Sequence, residues 1–168
     1  MNVMMPHLTK TEPIKFPMAR PLKITKHAKI LSTGMFVPPN VVTNDDIIKR
    51  WNLIATDRAV KYSLGISERR WDDQNLAMSE MLFKATQDCF SKINFLPDKL
   101  DRVIFARLYG DQNVPATALK VLKLLGCSKA IPAIDITAAC SGFMHALDLG
   151  IKGINAGDDY TLILSGAM

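Results

Sequence analysis

The sequence predicts an α/β protein built on a parallel sheet with helices on its faces. Two observations carry this reading. From residue 101 onward, short β-branched runs alternate with helix-length apolar-patterned stretches, as in consecutive βαβ units. Hydrophobic residues also make up 48% of the 168 residues against 22% charged, enough apolar surface for a core and too little charge for general disorder.

Taken in order, residues 1–27 are rich in Pro, Met and Lys without a period and predict an extended or disordered tail. Residues 28–168 then suit one domain or one half of a larger one. Ala28 to Thr33 reads as a strand, stopped by Gly34 and Pro38-Pro39. Thr43 can cap a short helix with Asp46 in its first turn, running to about Trp51. Gly65 to Trp71 reads as a turn into an extended segment. From Asn75 a helical stripe follows: Met78, Met81/Leu82, Ala85, Cys89 and Ile93, closed by Pro97. Arg102–Ala106 is a strand. Pro115 opens a helix that Gly126 ends. Ile131–Thr137 is a strand, Ser141 to about Ala156 an apolar helix ended by Gly157, and Tyr160–Leu164 the last strand.

Charge excludes little once it is located. The net +5 sits in residues 1–29, where Lys10, Lys15, Arg20, Lys23, Lys26 and Lys29 face only Glu12; the rest holds 15 charges of each sign. A basic tail is usually just solvated, so neither a nucleic-acid nor a membrane partner is expected. Cys89, Cys127 and Cys140 form no CxxC pair, and His7, His27 and His145 are scattered. That argues against a disulfide scaffold or a metal site, and no cofactor is expected. No apolar run reaches the length of a membrane span, and Pro6, Pro13, Pro17 and Pro21 interrupt any signal-like segment. The expectation is a soluble cytoplasmic protein.

The informative stretch runs from Ala133 to Phe143. A strand runs out at Thr137, Ala138 and Ala139 make a tight turn, and Cys140 heads a helix. The placement suits a nucleophile. A helix N-terminus lowers a thiol pKa through its dipole, and its free N–H groups can hold the oxyanion of a tetrahedral intermediate. The competing reading is that Cys140 is a small buried apolar residue. Cys89 and Cys127 read as core and turn residues. A Cys140–His145 pair is opposed by geometry, since five residues along a helix turn the side chain roughly 140° away. His145, Asp148 and Lys152 read instead as a polar stripe.

Several blocks together resemble ketoacyl-acyl-carrier-protein synthase III. They are Gly34 and Pro38 after the opening strand; Thr43-Asn44-Asp45-Asp46; Gly65-Ile66-Ser67-Glu68-Arg69; Val114-Pro115-Ala116-Thr117 leading to Leu124-Leu125-Gly126; Asp135 through Phe143; and Leu162 to Gly166. The most specific is Asp135-x-x-Ala138-Ala139-Cys140-Ser141-Gly142-Phe143. The resemblance implies a thiolase fold, of which this chain would supply the N-terminal of two similar βα halves. It implies that Cys140 takes an acyl group from acyl-coenzyme A or an acyl-carrier protein. Condensation with malonyl-carrier protein and loss of CO₂ would follow. The backbone N–H of Cys140 would be one oxyanion donor, and Val114 matches the residue lining the acyl pocket. Family members pair as homodimers through this half.

The family's catalytic His and Asn lie in the other half and have no counterpart in residues 28–168. Condensation by this chain alone is therefore not expected. Ala59 and Ser63 stand where the family carries a Trp and an Arg for the coenzyme A adenine, so weak coenzyme A binding is expected. The alternative is a non-catalytic thiolase-like subunit that binds a carrier protein or a sister synthase. A redox or nucleic-acid module has only the free thiol and the basic tail in its favour.

Overall fold

The computed structural model describes residues 27–166. The expected tail lies outside them except for His27. Five strands and five helices follow in the order β1 (Asn40–Thr43), α1 (Asn44–Trp51), α2 (Asp57–Leu64), β2 (Glu68–Trp71), α3 (Met78–Ser91), β3 (Arg102–Arg107), α4 (Thr117–Leu124), β4 (Ala133–Thr137), α5 (Gly142–Ala156) and β5 (Thr161–Gly166).

The second half of the chain is the sheet that the alternating pattern predicts. Its order is β4-β3-β5, all parallel, with Arg107 at the end of β3 level with Thr137 of β4 and Gly166 of β5. Residues of β3 alternate between two faces. Val103 and Phe105 join Met78, Leu82, Leu100, Val121 and Leu122 on the side of α3 and α4. Ile104 and Ala106 meet Ala146 on the side of α5. The core is thus a sheet between two helical layers, and β3 is buried because it has strands on both edges and helices on both faces.

Helix α5 approaches the sheet through small residues. Gly142, Ala146, Gly150 and Gly153 are its buried positions. A Cβ on Gly153 would lie 2.5 Å from Asp158 and 2.9 Å from Arg102, whose side chains form an ion pair at 2.6 Å. Gly142 packs toward the sheet: a Cβ there would lie 3.5 Å from the Ala106 Cβ of β3.

The first half forms a smaller unit. β1 and β2 pair antiparallel, with Asn40 opposite Trp71 and Thr43 opposite Glu68. Thr43 caps α1 as its sequence predicts: its hydroxyl accepts from the Asp46 N–H at 3.2 Å, and Asp46 accepts from the Thr43 N–H at 2.8 Å. Trp51 and Trp71 close the unit with ring centroids 5.8 Å apart, and the Arg50 guanidinium lies over both.

Two expectations are corrected, and one helix appears where none was assigned. Ala28–Thr33 is not a strand. Among the described residues it has no ladder partner and runs along α3, where the Ser32 hydroxyl donates to the Cys89 carbonyl at 2.8 Å and Lys92 donates to the Thr33 carbonyl at 2.9 Å. β propensity alone makes no strand without a neighbour to complete its hydrogen bonds. The stretch after Trp51 contains helix α2, capped by the Thr56 hydroxyl accepting from the Ala59 N–H at 3.2 Å. Helix α4 begins at Thr117, two residues beyond Pro115.

Candidate active site

Loops leaving the carboxyl ends of parallel strands are where such sheets place their sites. Here β3 feeds the 108–116 loop and β4 feeds the turn at 138–141. Because Arg107 and Thr137 are paired in register, the two segments leave the sheet side by side.

The turn after β4 is unusual in its backbone. Ala139 has φ of +44°, a left-handed conformation that an alanine adopts at a cost of about 1–2 kcal/mol. Residues Ala139–Ser141 make a single 3₁₀ turn, held by the Ser141 N–H and hydroxyl, both donating to the Ala138 carbonyl, at 3.1 and 2.8 Å. This turn runs directly into α5 at Gly142. Cys140 sits in its middle and is exposed, whereas Cys89 and Cys127 are half-buried. The reading of Cys140 as a buried apolar residue therefore does not hold. Cys127 is a structural thiol, donating to the Pro97 carbonyl at 3.6 Å.

Two carboxylates position this edge of the sheet. Helices α3 and α4 both have alanine at their N-cap, Ala77 and Ala116, and neither side chain can cap. Remote aspartates do so instead. Asp135, in the middle of β4, accepts from the Thr117 and Ala118 N–H groups at 2.8 and 2.9 Å. Asp111, in the loop after β3, accepts from the Ser79 N–H at 3.0 Å and from its hydroxyl at 2.6 Å, with Lys120 3.2 Å away. Burial works to raise the Asp111 pKa. The Ser79 hydroxyl, the Ser79 N–H and Lys120 outweigh it, and the carboxyl is held below its ordinary value.

Val114 lies in the loop that leaves β3 beyond Arg107 and is 83% exposed. Ala59 and Ser63 lie one turn apart on an exposed face of α2. In the expected polar stripe of α5, Lys152 and Asp148 pair at 2.6 Å, and His145 is exposed on the same helix.

The two blocks of the first half meet at one residue. Buried Asn44 donates to Asp57 at 2.9 Å and to the Ile66 carbonyl at 2.8 Å, and accepts from Arg69 at 2.7 Å. The Thr43–Asp46 and Gly65–Arg69 blocks are thus parts of one packing network. Sequence reasoning did not assign Asn44, Asp111, Arg107 or Asp135 these contacts. One signal was available for Asp135: an aspartate in the middle of a strand rich in Ile needs a partner if its side chain turns inward.

Among the described residues no group of three or more His, Cys, Asp or Glu is placed to hold a metal ion, and no helix is long and apolar enough to cross a membrane. No family model matches the chain. Curated proteins do: the beta-ketoacyl-acyl-carrier-protein synthase III of Clostridium novyi is 37% identical over 142 residues, covering 84% of this chain and 42% of the relative. The crystal structure of 3-oxoacyl-acyl-carrier-protein synthase III from Aquifex aeolicus superposes with a TM-score of 0.75 at 33% identity, over 82% of this chain and 44% of that one. Xanthomonas campestris OleA, as its H285D variant, superposes at 0.74 with 25% identity, over 82% and 42%. The chain thus spans less than half the length of these relatives. In sequence and in fold it is a homologue of the beta-ketoacyl-acyl-carrier-protein synthase III family, and it carries one α/β half of that thiolase-like fold.

Proposed function

We propose that this chain is the nucleophile-bearing part of a 3-oxoacyl-acyl-carrier-protein synthase III-like acyltransferase. One observation carries the reading: Cys140 is exposed in a strained turn between a parallel strand and the helix that follows it. In the first step the Cys140 thiolate attacks the carbonyl of an acyl thioester. The intermediate's oxyanion is held by N–H groups of the turn, that of Cys140 among them; its collapse expels the donor as a thiolate, which takes a proton from solvent. The second step, decarboxylative condensation with malonyl-carrier protein, draws on the His and Asn that the family carries outside the matched stretch. The chemistry needs no cofactor. Ala59 and Ser63 offer neither a stacking face nor a cation, which favours a carrier-protein donor over coenzyme A.

A partner follows from the surface. Phe143, Met144, Leu149 and Ile151 are all exposed on α5, apolar surface over more than one face of the helix, suited to a C-terminal half or a second copy. The same surface would serve the alternative, a non-catalytic thiolase-like subunit that binds a carrier protein or a sister synthase.

The test is covalent labelling of the folded chain with iodoacetamide and with acetyl donors on coenzyme A and on carrier protein, read by peptide mass spectrometry. Cys140 should label before Cys89 and Cys127, and acetyl should load from the carrier faster than from coenzyme A. Preferential labelling of Cys89 or Cys127 would sink the assignment. Labelling of Cys140 by iodoacetamide without acetyl loading from either donor would favour the binding-subunit reading.

A further inference from the structure

We infer that Arg107 is a specificity-determining positioning residue: it fixes the 108–116 loop beside the Cys140 turn and so sets which acyl chains Cys140 accepts. This rests on the reading of Cys140 as the acylated residue.

Arg107 ends β3, the strand with neighbours on both edges. Its side chain is only 19% exposed. A guanidinium held that far from water needs partners, and it finds them in both segments that flank the candidate site. Toward its own loop it donates to the Gln112 carbonyl at 3.0 Å. Toward β4 it donates to the Thr137 hydroxyl at 3.4 Å, three residues before Cys140, and lies 3.9 Å from the Asp135 carboxylate, whose side chain is 7% exposed.

The loop closes directly onto this group. A Cβ on Gly110 would stand 3.1 Å from the Arg107 guanidinium and 2.5 Å from the Thr117 hydroxyl, so only glycine fits there without a shift. Asp111 then fastens the next residue to Ser79 and Lys120. With Asp111 turned inward, the loop presents Leu108, Tyr109 and Val114 as exposed apolar side chains, beside exposed Gln112 and Asn113. These are the groups an acyl chain leaving Cys140 on this side would meet. A planar guanidinium can serve Gln112, Thr137 and Asp135 together because its donors point in several fixed directions, whereas an ammonium acts as a point charge on a flexible stem.

The experiment compares the chain with its Arg107→Met and Arg107→Lys variants. Each is loaded with acetyl and dodecanoyl N-acetylcysteamine thioesters and followed by intact-mass spectrometry. Iodoacetamide, too small to depend on the loop, reports the intrinsic reactivity of Cys140. In Arg107→Met the acetyl-to-dodecanoyl rate ratio should change by about three- to tenfold, the worth of one or two hydrogen bonds, while the iodoacetamide rate stays within about twofold. Arg107→Lys should fall between. If Arg107→Met loses its folded circular dichroism, Arg107→Lys carries the comparison. An unchanged ratio in a folded variant overturns the inference. A wild-type chain that reacts with iodoacetamide at Cys140 but loads neither thioester overturns the acylation reading instead, and this inference with it.

Discussion

Asp135→Ala removes the acceptor that caps α4 from outside the helix. The effect can be sized from its surroundings. The carboxylate accepts two N–H groups at 2.8 and 2.9 Å, and the residues donating them, Thr117 and Ala118, are fully buried. An orphaned buried donor costs about 1–3 kcal/mol, less whatever a water entering the vacated space recovers. Local N-cap deletions cost about 0.5–2 kcal/mol for a single bond. Two buried donors therefore point to a loss of about 2–4 kcal/mol, a large share of the roughly 5–15 kcal/mol that holds a domain folded. Asp135→Asn keeps one acceptor oxygen and should lose about half as much. The assay is urea unfolding followed by far-ultraviolet circular dichroism, comparing midpoints at constant slope. Both variants should unfold at lower urea, Ala below Asn. A loss under about 0.5 kcal/mol in Asp135→Ala would show that local helix propensity, not the remote cap, holds the start of α4.

Two further changes probe the loops. Gly34→Ala would place a Cβ 2.3 Å from the Ala85 carbonyl oxygen and 2.4 Å from the Cys89 nitrogen, both backbone atoms of α3 that cannot swing aside. The segment should lift and lose the Ser32–Cys89 and Met35–Asp88 bonds, at about 1–3 kcal/mol; faster amide exchange at Met35 checks it, and unchanged protection there contradicts it. Asp111→Asn tests the pinned loop through pH. The Asp111 carboxyl is held below its ordinary value in the fold, so its contribution is present above the unfolded pKa of about 3.9 and disappears as pH falls through the folded value. The variant should be less stable than wild type at neutral pH, with the gap closing below about pH 4; parallel stability curves from pH 3 to 7 would refute this.

Much of this molecule was legible in the residues alone. Alternating β-branched runs and apolar stripes predicted the parallel sheet, because a buried strand and a core-facing helix each need a fixed spacing of apolar side chains. Thr43 and Asp46 predicted the start of α1, because a capping box is completed within four residues. The turn carrying Cys140 was visible as two alanines between a strand and a helix, and the blocks shared with the synthase III family lay in order along the chain.

What only the tertiary structure decided are the contacts that cross sequence distance. Ala77 and Ala116 gave no sign of how α3 and α4 begin, because their caps come from Asp111 and Asp135, 32 and 18 residues from the N–H groups they receive. Ala28–Thr33 has the composition of a strand, but a strand also needs a neighbour, and here the segment finds α3. The role of Arg107 is likewise invisible in sequence. It arises because parallel pairing brings the end of β3 level with Thr137 and sets its guanidinium between the loop and the end of β4. Local patterns fix the elements because their hydrogen bonds and apolar periods close within a few residues, whereas a buried charge takes its partner from whichever element the packing brings alongside.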